Sequence, residues 1–193
     1  MSRVLMLYGT TDGHTATVAS VIAGALRAEG CDVDVVSARP EGASRVAPYA
    51  GVIVAASVHG GDFQRGVRRW VRAHAPELSG LPTAFLPVCL AMLEHQPEAR
   101  VEINMIIEHF LTGCGWRPTS VRLVAGAVPY TRYGWLKKWV MRRISATMGG
   151  GTDTSRDYDY TDWNDVRAFV HGFAVAHSLV AVPAGEPAMA ARV

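Results

Sequence analysis

The stretch YGTTDGHTAT, residues 8–17, holds four threonines and two glycines but neither lysine nor arginine. It follows the apolar run Val4–Tyr8 and leads into Thr15–Glu29, where Val18, Ile22 and Leu26 recur every fourth residue and Gly30 stands as a C′ glycine. A loop between a strand and a helix gathers unpaired backbone N–H groups at the positive end of the helix dipole, which suits a phosphate. Thr10, Thr11 and Thr15 add hydroxyls, Gly13 lets the backbone come close, and Asp12 and His14 complete the turn. No Lys-Ser/Thr pair follows, which excludes a nucleoside triphosphate loop, and the absence of G-x-G-x-x-G argues against a dinucleotide. A monophosphate on neutral donors remains, and FMN is the commonest such ligand. The same residues would also serve as a plain helix cap.

Two further loops stand at equivalent places. Ser57-Val58-His59-Gly60-Gly61-Asp62-Phe63 follows the run Val52–Ala56. Its glycines permit backbone to approach a flat ring, with N–H groups for flavin carbonyls; a tight turn bearing a surface histidine reads the same way. His59 is the titratable group there placed to touch a ring. The third loop, Cys89-Leu90-Ala91-Met92-Leu93-Glu94-His95, is more apolar than most loops and either covers a ring or packs. His95 and His109 have no partner at ligand spacing, so no metal site is expected.

The elements that would position these loops are strands alternating with helices. Apolar runs fall at Val4–Tyr8, Val33–Val36, Val52–Ala56, Thr83–Val88 and Val121–Ala125, several of them continuously apolar, as strands buried on both faces are. Helical patterns fill the intervals: Gln64–His74 with Val67, Trp70 and Val71; Glu98–Leu111 with Val101, Met105, Ile106 and Phe110; Trp163–Leu179 with Val166, Phe169, Val170 and Phe173. This predicts an α/β fold, a doubly wound five-stranded parallel sheet of flavodoxin-like order 2-1-3-4-5, whose ligands bind beyond the carboxyl ends of the strands. Residues 126–162 exceed what such a sheet needs. Within them Trp135–Met148 reads as an amphipathic helix, with Leu136, Trp139, Val140 and Ile144 on one face and Lys137, Lys138, Arg142 and Arg143 elsewhere. A basic, tryptophan-bearing helix suits an anionic membrane surface, and equally suits packing on its own domain.

The chain has 193 residues, 49% hydrophobic and 19% charged, which fits one globular domain over residues 1–179, with residues 180–193 as a disordered tail. A net charge of +2 is too small to point to nucleic acid. Cys31, Cys89 and Cys114 form no C-x-x-C pair and read as reduced thiols of a cytoplasmic protein. No run reaches the roughly 20 apolar residues of a membrane span.

Over residues 3 to about 178 the sequence resembles the flavodoxin-type, menaquinone-dependent protoporphyrinogen IX dehydrogenases. The resemblance rests on Tyr8, Thr10, Asp12-Gly13 and Thr15, and more specifically on Trp116-Arg117-Pro118, Ala125-Gly126-Ala127, Tyr130, Arg132-Tyr133, Trp135, Gly149-Gly150, Thr152-Asp153-Thr154 and Tyr160-Thr161-Asp162-Trp163. It implies FMN at the three loops, dehydrogenation of a porphyrinogen, and transfer of electrons to a quinone at the inner face of the cell membrane. It implies that Arg132, Trp135, Lys137, Lys138, Trp139, Arg142 and Arg143 meet either the propionates of the substrate or the anionic membrane. An electron-carrying flavodoxin, or a flavin enzyme of another substrate, is the alternative. The departures cluster at the flavin. Gly9 stands where the family usually has Ser or Thr. Gly60 replaces an aromatic beside the ring, leaving Phe63 or His59 as substitute. Cys89 replaces an asparagine, and Glu94-His95 replace basic residues.

Overall fold

The computed structural model describes residues 1–38, 46, 48–90, 97–147 and 150–180, with the side chains of 97–99, 137, 144 and 147 outside that description. The expectations for 91–96, Lys137, Ile144, Gly149 and the tail from 181 lie outside the described residues.

Strands β1 (Arg3–Gly9), β3 (Gly51–Ser57) and β4 (Thr83–Cys89) bury nearly every side chain. Uninterrupted apolar runs do this when a parallel sheet is covered on both faces. With β2 (Asp32–Ser37) at one edge the order is β2-β1-β3-β4, all parallel, followed by a fifth position. Because β1 pairs with β2 on one side and β3 on the other, the winding reverses beside β1, and the loops after β1, β3 and β4 open onto one crevice.

The fifth position is not the single strand expected over Val121–Ala125. It is two short strands, β5 (Ser120–Val121) and β6 (Val124–Ala125), both parallel to β4. The cause lies in β4. The carbonyls of Phe85 and Cys89 accept from Arg122 N at 2.9 Å and Gly126 N at 3.0 Å. Alternation therefore turns residue 87 toward the same neighbour, and as proline it has no N–H to give. The ladder breaks opposite it.

Helices α1 (His14–Ala28) and α5 (Trp163–Ala176) cover one face, and α2 (Arg65–Leu78) and α3 (Pro97–Cys114) the other. Val18, Ile22 and Leu26 of α1 pack with Val4, Met6 and Ile53 beneath. Val67, Trp70 and Val71 of α2 pack with Leu5, Leu7, Phe85 and Phe110. In α3 the expected apolar face is kept at Phe110, with Ile106 half-buried against the core, and shifted at its other positions. Ile103, Ile107 and Phe110 are buried, whereas Val101 and Met105 are 58% and 67% exposed. Both apolar sets fit helical spacing, and the sheet has room for one of them.

Residues 126–162 build more than the one expected helix. After β7 (Ala127–Val128) come a 3-10 turn over Tyr130–Arg132, α4 (Trp135–Thr147) and β8 (Tyr158–Asp159), which returns antiparallel to β7. Val128, Tyr130 and Tyr133 form a small core of their own, joined by Leu90, Met141, Tyr158 and Tyr160. Tyr130 is fully buried and its hydroxyl donates to Gly151 O at 3.0 Å. Burying a ring of that size contributes about 2 kcal/mol, which secures the start of the insertion over the end of β4.

Candidate functional site

The first loop turns on Gly13, the N-cap of α1, whose φ of 95° lies in the left-handed region that glycine adopts without strain. Its amide donates to Thr10 Oγ1 at 2.9 Å, leaving the Thr10 hydroxyl proton to point elsewhere. The first amides of a helix have no intrahelical acceptor; here the N-cap brings no side-chain acceptor and the first turn carries no acid. One residue inside the helix, the Thr15 side chain is buried at 1% exposure and its Oγ1 has no hydrogen-bond partner among the described residues. A buried hydroxyl left unpaired costs about 1–3 kcal/mol, so the position is built for something that supplies a partner.

Gly9 is imposed by its neighbours. A Cβ there would lie 2.4 Å from Val67 Cγ2 and 2.8 Å from Gln64 Oε1. Gln64 Nε2 instead donates to Ser57 Oγ at 2.6 Å and Thr11 Oγ1 at 3.2 Å, tying the first loop to the end of β3. Nothing in the sequence marked Gln64, because its role depends on α2 passing under β1.

The second loop closes on itself, with His59 N donating to Asp62 O at 2.8 Å and Gly60-Gly61 at the tip. Ser57, Val58, His59, Gly60 and Gly61 line the same cleft as Thr10, Thr11, Asp12, His14 and Thr15. Phe63 does not. It is buried, its ring 5.2 Å from Phe85 and 4.8 Å from Phe110, so it is core, whereas His59 lines the cleft. From the third loop, Cys89 and Leu90 join the cleft.

The cleft encloses about 690 Å³, within the usual range for a cofactor or drug-sized ligand. Its remaining walls are Val88 of β4, Ile103 and Ile106 with Glu102 from α3, Gly126 with Ala127 at the start of β7, and Tyr133, Leu136, Val140 and Met141 from the insertion. Gly126, Ala127 and Tyr133 fall within the motifs quoted above and Ile106 within the apolar pattern of 98–111, whereas nothing in the sequence singles out Glu102 or Ile103.

The insertion is tied to the first loop at two residues, Asp12 and His14. The Tyr133 hydroxyl donates to Asp12 Oδ2 at 3.0 Å. Burial first, and then the Asp12 charge, push the phenol far above the ordinary tyrosine range, so it stays protonated. His14 Nε2 lies 2.7 Å from Thr161 Oγ1, which itself donates to Ala125 O at 2.8 Å. With that hydroxyl proton committed, His14 Nε2–H is the donor. Burial lowers the His14 pKa, opposed in part by Asp159 with its carboxylate 3.7 Å away.

Of the basic and aromatic residues on the insertion, Arg132 turns toward the first loop: its Nη1 is 3.6 Å from where a Cβ on Gly13 would stand. Trp135 and Trp139 are 82% and 56% exposed, with the Arg143 guanidinium 5.3 Å from the Trp139 ring centre. Arg142 and Arg143 are exposed and Lys138 half-buried.

These residues fit FMN. Neutral amides and an orphaned hydroxyl converge where a phosphate would sit, and the rest of the cleft is an apolar slot edged by backbone. Residues 5–155 match the model of the flavodoxin domain. Protoporphyrinogen IX dehydrogenase (quinone) of Escherichia coli (strain K12) is 32% identical over 173 residues, 89% of this chain and 94% of that one. Its namesake in Leishmania major is 35% identical over 89% of this chain and 74% of its own length. The chain belongs to the flavodoxin family and, within it, to the protoporphyrinogen IX dehydrogenases. Among solved structures, oxidised flavodoxin 1 from Bacillus cereus superposes on this flavodoxin-family chain with a TM-score of 0.55 at 19% identity, covering 90% of this chain and 98% of that one. Among the described residues no three His, Cys, Asp or Glu side chains converge as a metal site, and no helix is long and apolar enough to cross a membrane.

Proposed function

We propose that the protein is an FMN-dependent oxidoreductase that dehydrogenates protoporphyrinogen IX to protoporphyrin IX and delivers the electrons to a quinone. The observation that carries this is the near full-length kinship with dehydrogenases of that name, 32% to 35% identity over 89% of the chain.

FMN, when bound, supplies the two-electron acceptor that a porphyrinogen needs. The chain supplies position. Thr10, Thr11, Thr15 and the opening amides of α1 hold the phosphate; the backbone at 57–61 and 89–90 flanks the ring. The mouth between α3 and α4, edged by Ile106, Leu136 and Val140, admits a broad apolar macrocycle and excludes water from it. Lys138, Arg142 and Arg143 meet the anionic groups, whether propionates of the substrate or lipid phosphates. We read exposed Trp135 and Trp139 as resting in the headgroup region of an anionic bilayer at the inner face of the cell membrane, where menaquinone is dissolved.

The test is direct. The purified protein should be yellow, with a flavin spectrum, and should convert protoporphyrinogen to fluorescent protoporphyrin at a rate that depends on added quinone. A colourless protein that takes up no FMN, or a yellow one that leaves protoporphyrinogen untouched, would sink the reading.

A further inference from the structure

Arg132 ends the 3-10 turn, with its own amide bonded to Pro129 O at 3.1 Å. The turn is pinned on both sides. Thr131 N donates to Asp157 Oδ1 at 2.8 Å, and the Tyr133 hydroxyl to Asp12 at 3.0 Å. Held there, the Arg132 guanidinium reaches the N-cap of α1, Nη1 standing 3.6 Å from the position of a Cβ on Gly13. The Thr15 hydroxyl, unpaired and 1% exposed, belongs to the same turn of helix. The loop that carries no basic residue of its own along the sequence therefore has an exposed guanidinium beside its glycine N-cap in space.

We propose that Arg132 is the charge partner of the cofactor's 5′-phosphate and makes this protein select phosphorylated flavin over riboflavin. The inference rests on the FMN reading above. A dianion held by amides and hydroxyls alone loses hydration without meeting a full opposite charge; a guanidinium offers paired N–H groups matched to two phosphate oxygens. Asp157 also feels the Arg132 charge, but it is fully solvent-exposed and competes weakly through water. Because Arg132 and Tyr133 are adjacent, an occupied phosphate site would also steady the insertion against the first loop.

The experiment titrates full-length protein, stripped of flavin, with FMN and separately with riboflavin, following flavin fluorescence. Arg132→Gln should weaken FMN about tenfold, or about 1.4 kcal/mol, and change riboflavin less than twofold. Arg132→Lys should fall between. Added salt should weaken FMN binding to the wild type and barely affect it in Arg132→Gln. Equal losses for the two flavins in Arg132→Lys, or unchanged FMN affinity in a folded Arg132→Gln, would overturn the proposal. If Arg132→Gln misfolds and loses both flavins, Arg132→Lys decides: selective loss of FMN supports the pairing, and no selective loss refutes it. Failure of the wild type to bind FMN at all would instead bring down the cofactor reading.

Discussion

The hydroxyl of Tyr133 donates to the carboxylate of Asp12 at 3.0 Å, joining the insertion to the loop after β1. Burial and the Asp12 charge keep the phenol protonated, so the bond is not lost to tyrosine ionisation on the alkaline side. Tyr133→Phe should lower stability by about 1–2 kcal/mol and weaken FMN severalfold, since Arg132 loses its anchor. Urea unfolding and a flavin titration check both effects. If stability and FMN affinity both stay at wild-type values, the contact is not holding the insertion.

Thr15 separates a ligand role from a structural one by the sign of two effects. In flavin-free protein its hydroxyl is buried and unpaired, so Thr15→Ala should leave stability unchanged or raise it. In loaded protein it should weaken FMN about tenfold to a hundredfold, the worth of one hydrogen bond to a charged group. Thr15→Ser should keep the affinity. Loss of stability with unaltered FMN binding would reverse the assignment.

Position 9 is closed to larger residues. With Val67 Cγ2 only 2.4 Å from a would-be Cβ, Gly9→Ser should destabilise by about 1–3 kcal/mol. Adding Val67→Ala should recover part of the loss, because it removes the nearest obstacle. Thermal melts of the single and double variants read this out, and a stable Gly9→Ser single variant would contradict the packing.

His14 makes stability pH-dependent. Its folded pKa lies below the ordinary value, so on acidification the unfolded chain takes up the proton first. The stability from burying neutral His14 is thus intact above about pH 6.5 and declines as pH falls below it toward the folded value. His14→Gln keeps a side-chain N–H donor and does not titrate. Between pH 7.5 and 5 the wild type should lose more stability than His14→Gln; equal losses would remove His14 as the cause.

Trp135 and Trp139 should govern vesicle binding. Replacing both with serine should reduce co-sedimentation with phosphatidylglycerol vesicles by about an order of magnitude while leaving FMN affinity and melting temperature in place, since both rings are largely exposed. Undiminished sedimentation would move the membrane contact elsewhere.

Sequence alone determined the frame. Strands β1, β3 and β4 were legible because burial on both faces demands unbroken apolar runs, and α1 because Val18, Ile22 and Leu26 must share the stripe that meets β1 and β3. From strands alternating with helices follows the crevice where the three loops meet. Tertiary structure decided everything that depends on a partner far along the chain. Val101 and Met105 had the right spacing for the core, but the sheet surface under α3 accepts Ile103, Ile107 and Phe110. Phe63 was free to turn either way until Phe85 and Phe110 enclosed it. The β7–β8 pair is two residues long on each side, too short to leave a periodic trace, yet it brings Asp159 and Thr161 to His14. Spacing groups Arg132 with the cations of α4, and only the fold of the 3-10 turn brings its Nη1 beside Gly13. Periodicity along a chain reports which side of an element is buried, whereas the charge that faces a loop is set by which distant segment the packing lays across it.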